Sequence, residues 1–188
     1  MITRPRLRKF ALTAHVISSV GWLGAVAVSL ALALAGMTSQ DAQMVRGAYL
    51  AMEWTGRFVL VPLGLASLLT GLVQALGTKW GLFRHYWILV KLAINVFAIV
   101  VLLLYMQTLG YLAGVAAETT SSTGDLGVLR TPSALLHAGA ALMLLVVAAT
   151  LSVYKPPGMT RYGQRKQREQ RRPRPDETYP EPAEVTTA

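Results

Sequence analysis

The sequence predicts an all-α integral membrane protein: a four-helix bundle running up-down-up-down, with a disordered C-terminal tail. Three observations carry this. Four stretches are each apolar for about the 20 residues that a ~30 Å hydrocarbon core requires of a helix rising ~1.5 Å per residue. The basic residues crowd onto one set of connecting segments. After the last stretch the chain turns charged and proline-rich, with no apolar face to bury.

The composition excludes most alternatives. With 53% hydrophobic and 14% charged residues among 188, the chain is too apolar for a water-soluble fold of its size, and disorder throughout, collagen and repeat solenoids are excluded with it. It contains no cysteine. Disulfide scaffolds, thiolate zinc sites, iron–sulfur clusters and thiol nucleophiles therefore all lack their ligands. A net charge of +9 suggests a nucleic-acid partner, but no basic stripe is interleaved with aromatics, so nucleic acid is not expected.

The spans run from about 10–35, 58–76, 86–112 and 133–154, within a transmembrane domain of residues 1–155. None holds an Asp or Glu, and the one fixed charge well inside is Lys91. Lipid cannot hydrogen-bond backbone amides and the alternation of a β-barrel is absent, so each span is helical. Arg4 to Lys9, Lys79, Arg84 and the residues from Lys155 to Arg174 place 14 Lys and Arg on one side, against Arg46, Arg57 and Arg130 on the other. Positive charge marks the cytoplasmic side. The protein is thus expected in the cell membrane as a multi-pass chain with both termini cytoplasmic, its basic tail attracted to anionic lipid. The first span, preceded by Arg4 to Lys9 and ending near Ala33-Leu34-Ala35, has a rival reading as a signal peptide. It is longer than the usual ~7–15 apolar residues and carries His15 and Trp22, which favours a retained span.

Residues 41–56 read as an outer-face helix, lying in the interface or leading straight into span two. Ser39 and Asp41 are candidate N-caps, and Glu53 stands four before Arg57, the favoured order for an intrahelical pair. The second outer loop is rich in Ser, Thr and Gly. Spans two and three, joined by a short segment, should be antiparallel neighbours. Pro156 and Pro157 end the last helix, and residues 156–188 are expected to be a disordered cytoplasmic tail.

Polar groups in hydrocarbon each need an account. At ~1.5 Å per residue from the cytoplasmic face, His15 lies ~7 Å deep, Gln74 ~4 Å, Thr70 ~10 Å, Lys91 ~8 Å and Asn95 ~14 Å. Thr70 and Gln74 share one helix face, as do Lys91 and Asn95. A polar pocket of His15, Ser19, Thr70, Gln74, Lys91 and Asn95 is the functional expectation. The bland alternative is that Lys91 snorkels to the interface while the others hydrogen-bond between helices. His137 enters from the outer face at ~6 Å depth, so it stands ~17 Å from His15 along the normal, too far for one metal. Ser67 and Gly71, with Gly21, Gly24 and Gly64, offer close helix approach. HExxH, Walker and GxSxG patterns are absent from the sequence, as is any carboxylate pair within a span.

Two segments carry a resemblance. HVISSVGWLG, holding His15, Trp22 and Gly24, and HYWILVKL, holding Trp87 and Lys91, resemble the membrane group that includes copper-resistance protein D and the HemJ-type protoporphyrinogen oxidases. The stretch PLGLASLLTGLVQALGTKWGLFRHYWILVK resembles small four-span actinobacterial membrane proteins. The HemJ-type resemblance implies haem b on His15, a functional role for Lys91, and a second axial ligand from His85 or another chain. Three readings follow. The leading one is a non-enzymatic scaffold or assembly component, alone as a homo-oligomer or within a membrane complex. The second is a haem- or metal-binding protein using His15. The third is a small permease using the Thr70, Gln74, Lys91 and Asn95 face.

Overall fold

In lipid no hydrophobic force drives apolar helices together, so their contacts must come from close van der Waals packing and interhelical hydrogen bonds. The computed structural model, which describes residues 5–77, 82–118 and 126–171, shows both. Expectations resting on Arg4, Lys79, Asp125, Arg172, Arg174 and the acidic end fall outside the described residues. Among the described residues the chain is helical, with α1 (Pro5–Thr38), α2 (Ala42–Thr55), α3 (Val61–Gly77), α4 (Tyr86–Glu118), α5 (Ser133–Tyr154) and α6 (Arg161–Arg171). The one β-type pairing there is an isolated bridge between His85 and Met159. Four helical stretches are long and apolar enough to cross a membrane.

The second of these stretches joins α2 to α3 without a break. Asp41 caps α2 by accepting from the Gln43 amide at 2.9 Å. Ser39 instead accepts from the Asp41 amide at 3.1 Å, one step earlier. Between the helices, Gly56–Leu60 forms one π-helical turn. Pro62, just inside α3, brings no N–H to the ladder, and a local widening of the helix is one way to accommodate that loss. Gly56 also lies against α4, where a Cβ would fall 2.7 Å from Met106 Sδ.

α2 is no surface helix. It buries Val45, Ala48, Tyr49 and Met52, the i, i+3, i+4, i+7 stripe of an amphipathic helix, against α1 and α4. The apolar residues facing outward are Met44, Leu50 and Trp54. The Tyr49 hydroxyl donates to the Leu129 carbonyl, tying α2 to the segment before α5.

α1 and α3 meet ring on glycine. Trp22 and His15 are seven residues apart on α1, and they lie over Gly64 and Gly71, seven apart on α3. A Cβ on Gly64 would come 3.1 Å from the Trp22 ring, and one on Gly71 3.1 Å from His15 Cε1. The small residues of α3 thus provide the groove for α1.

At the end of the bundle away from the N-terminus, all three arginines of the connecting segments are engaged. Arg46 donates to the Ala116 carbonyl at 2.7 Å and Arg130 to the Ser39 carbonyl at 3.2 Å, each close to a helix C-terminus where carbonyls lack ladder partners. Arg57 pairs with Glu53 at 2.9 Å.

The tail departs from expectation. Lys155 adopts the left-handed conformation that ends α5, but the chain after Pro156 and Pro157 returns to order. Thr160 donates its amide to the Arg84 carbonyl at 3.0 Å and its hydroxyl to the Phe83 carbonyl. The same hydroxyl accepts from the Gly163 amide at 3.1 Å, capping α6. Disorder from residue 156 onward is therefore corrected for 156–171: backbone contacts with residues 83–85, rather than an apolar face, hold this stretch.

Candidate functional site

Serine and threonine inside a helix commonly return their hydroxyl proton to a carbonyl one turn back, leaving an oxygen lone pair for a neighbour. That habit builds a polar seam between α1 and α3. Thr70 donates to the Ala66 carbonyl at 2.6 Å, and Ser18 to the Ala14 carbonyl at 2.8 Å. His15 Nδ1 stands 3.1 Å from the Ser67 carbonyl and 3.1 Å from the Thr70 hydroxyl. A carbonyl only accepts, so Nδ1 carries the proton and Nε2 the lone pair. Ser19 and Ser67 hydroxyls lie 2.8 Å apart, and Gln74 donates to the Ala11 carbonyl at 3.1 Å.

Of the expected pocket residues, His15 and Thr70 meet directly, and Ser19 joins the same α1–α3 interface through Ser67. Gln74 binds α1 one turn nearer its start. Lys91 lies within Coulombic reach of His15 but bonds elsewhere, donating to Ser152 of α5 at 2.9 Å. Ser152 in turn donates to the Ala148 carbonyl. Asn95 is half-buried, and no hydrogen bond ties it to this seam among the described residues. His85 is held at the bridge to Met159, its ring 6.4 Å from that of Trp87.

The sequence reading missed Ser18 and Ser152 and gave Ser67 only a packing role. The available signal was a hydroxyl residue at matching depth on a facing helix. That signal is weak, because spacing shows which residues share a face but not which helix lies opposite.

A haem b would need a ligand nitrogen and a chamber beside it. His15 supplies the nitrogen, in the orientation that histidine ligands take when the other ring nitrogen donates to a carbonyl. A cavity of about 380 Å³ opens between α1, α2, α4 and α5, and His15, His85 and Lys91 are not among its lining residues. The His15 ring lies against Gly71 of α3, where a Cβ would come 3.1 Å from its Cε1 and 3.9 Å from its Nε2. Among the described residues no group of three or more His, Asp or Glu side chains could hold a metal ion. Comparison with protein-family models, with curated proteins and with solved structures gives no match, so the resemblance to the HemJ-type group rests on its own short motifs.

Proposed function

We propose that this chain is a multi-pass cell-membrane protein with both termini cytoplasmic and an up-down-up-down bundle, acting without catalysis as a scaffold or accessory component in a membrane complex. One observation carries the reading. His15, Ser19, Thr70, Gln74 and Lys91 direct polar atoms to neighbouring helices, and so act as fasteners. A permeation path would need them facing a shared aqueous space.

Two further features support it. Large apolar side chains point outward along the bundle, among them Phe10 at 73%, Met143 at 72% and Val153 at 75% exposure, as expected where lipid or a partner helix covers them. The basic helix α6, with exposed Arg161, Arg165, Lys166 and Arg168, suits the anionic headgroups of the cytoplasmic leaflet.

The test is the absorption spectrum of protein purified from haem-sufficient cells, compared with His15→Ala. The proposal expects a colourless protein and a lower melting temperature in the variant. A Soret band abolished by His15→Ala would replace the scaffold with a haem protein.

A further inference from the structure

The 380 Å³ cavity has a sequence origin. α5 turns Ala134, Ala138 and Ala141 toward the bundle at helical spacing, and no side chain of α4 or α2 fills the space they leave. Its size exceeds the ~150 Å³ of an apolar cavity able to hold benzene, and falls within the roughly 300–1,000 Å³ of small-molecule sites. The mouth opens sideways between α4 and α5. Phe97 and Leu136 stand there at 58% and 65% exposure, so entry is from the lipid phase.

The wall is mainly apolar, with aromatic rings from Trp22, Phe97 and Tyr105 and the polarisable sulfurs of Met52 and Met106. Its polar groups set the ligand's chemistry. His137 donates Nδ1–H to the Ser133 carbonyl at 2.8 Å and stacks on Tyr105 with 4.0 Å between ring centres. Its Nε2 therefore offers a lone pair. Ser29 donates its proton to the Ala25 carbonyl at 3.0 Å and likewise presents an acceptor. Trp22 Nε1, which lies toward Gly64 of α3, and Tyr105 Oη are enclosed by protein without a hydrogen-bond partner, so neither is offered to a ligand in the cavity.

Acceptors without donors in an apolar wall call for a small uncharged group that donates one proton, which is a hydroxyl. We propose that this cavity is a binding site for a lipid-soluble ring compound bearing one hydroxyl, a lipophilic phenol or alcohol. The ring lies among the aromatic and methionine side chains, and the hydroxyl bonds to His137. A bare hydrocarbon or a lipid acyl chain fills the same space and leaves those polar atoms as they are.

The experiment uses the full chain in lipid nanodiscs, with diisopropylphenol and its hydroxyl-free counterpart diisopropylbenzene as probes and calorimetry as the readout. The phenol is expected to saturate one site per chain and to bind roughly tenfold tighter than the hydrocarbon, the worth of about one hydrogen bond. His137→Phe, which preserves the stacked ring, should erase that difference. Ala141→Phe, which fills the cavity, should abolish binding of both, and Ala138→Leu gives the same test if Ala141→Phe does not fold. Equal affinities for the two probes in the native chain would overturn the proposal. So would absence of saturable binding, or undiminished binding in a folded cavity-filling variant.

Discussion

At the scale of single residues, the bundle is a set of close fits between rings and glycines. Gly64→Val would push a branched side chain into the Trp22 ring, where even a Cβ would lie at 3.1 Å. Overpacking of that kind costs about 1–3 kcal/mol, so thermal unfolding in detergent should show a clearly lower midpoint. Gly24→Val, at a position with nothing within 4 Å of its Cβ, should leave the midpoint nearly unchanged. Lys91→Met tests a different kind of contact. The bond to Ser152 is one interhelical hydrogen bond, typically worth about 0.6 kcal/mol in a membrane, and the methionine keeps the apolar stem. Stability should barely move, and flux of ions across reconstituted vesicles should be the same with either residue. Flux that Lys91→Met abolishes in a folded protein would restore the permease reading.

Depth arithmetic on the sequence places His15 at ~7 Å and Thr70 at ~10 Å, with Ser19 grouped beside them, and the structure brings all three to the seam between α1 and α3. The same arithmetic groups Lys91 and Asn95 with them. Sequence spacing defines a helix face, but α4 turns Lys91 to Ser152 of α5, and the identity of the facing helix is a property of the assembled bundle. His137 illustrates the converse. Taken alone it reads as a helix-terminal hydrogen-bonder, and it does bond to Ser133. Its stacking on Tyr105 and its place in the cavity depend on α4, which no local pattern reveals.

At the scale of elements, the apolar spans are legible because each run is long and apolar enough to cross a membrane, although the first three helical stretches extend beyond the expected bounds. Span four, expected at 133–154, is Ser133–Tyr154 in the structure. The π-helical turn at Gly56–Leu60 is not legible. Pro62 is a local signal for a disturbed ladder, but the close approach of Met106 to Gly56 belongs to the assembled bundle. α6 is missed for a related reason. Its composition, RYGQRKQREQR, lacks an apolar stripe, and its order comes from Thr160 clasping the Phe83 and Arg84 carbonyls. Thr160→Ala removes both the cap and the side-chain tie, at a cost of about 0.5–2 kcal/mol for the cap alone. Amide hydrogen exchange across 161–171 should accelerate markedly while α1 and α4 stay protected. Unchanged protection of α6 would mean that the backbone contacts suffice.

At the scale of the whole molecule, the proposed orientation rests on the division of charge between the two ends of the bundle. Opposite the basic end, Arg46 and Arg130 bond to carbonyls near the ends of neighbouring helices, while Arg57 pairs with Glu53 one turn back on its own helix. The basic residues at the other end include the exposed row of α6. That division carries the proposed orientation, and the contact of α6 with cytoplasmic-leaflet lipid requires it. The native chain has no cysteine, so single cysteines report without background. The most direct measurement labels Gln40→Cys, beyond the end of α1, and Gln164→Cys, on α6, with a membrane-impermeant maleimide on intact cells. Labelling of Gln40→Cys in intact cells, with Gln164→Cys reached only after permeabilisation, is the result predicted; labelling of Gln164→Cys in intact cells would contradict the account.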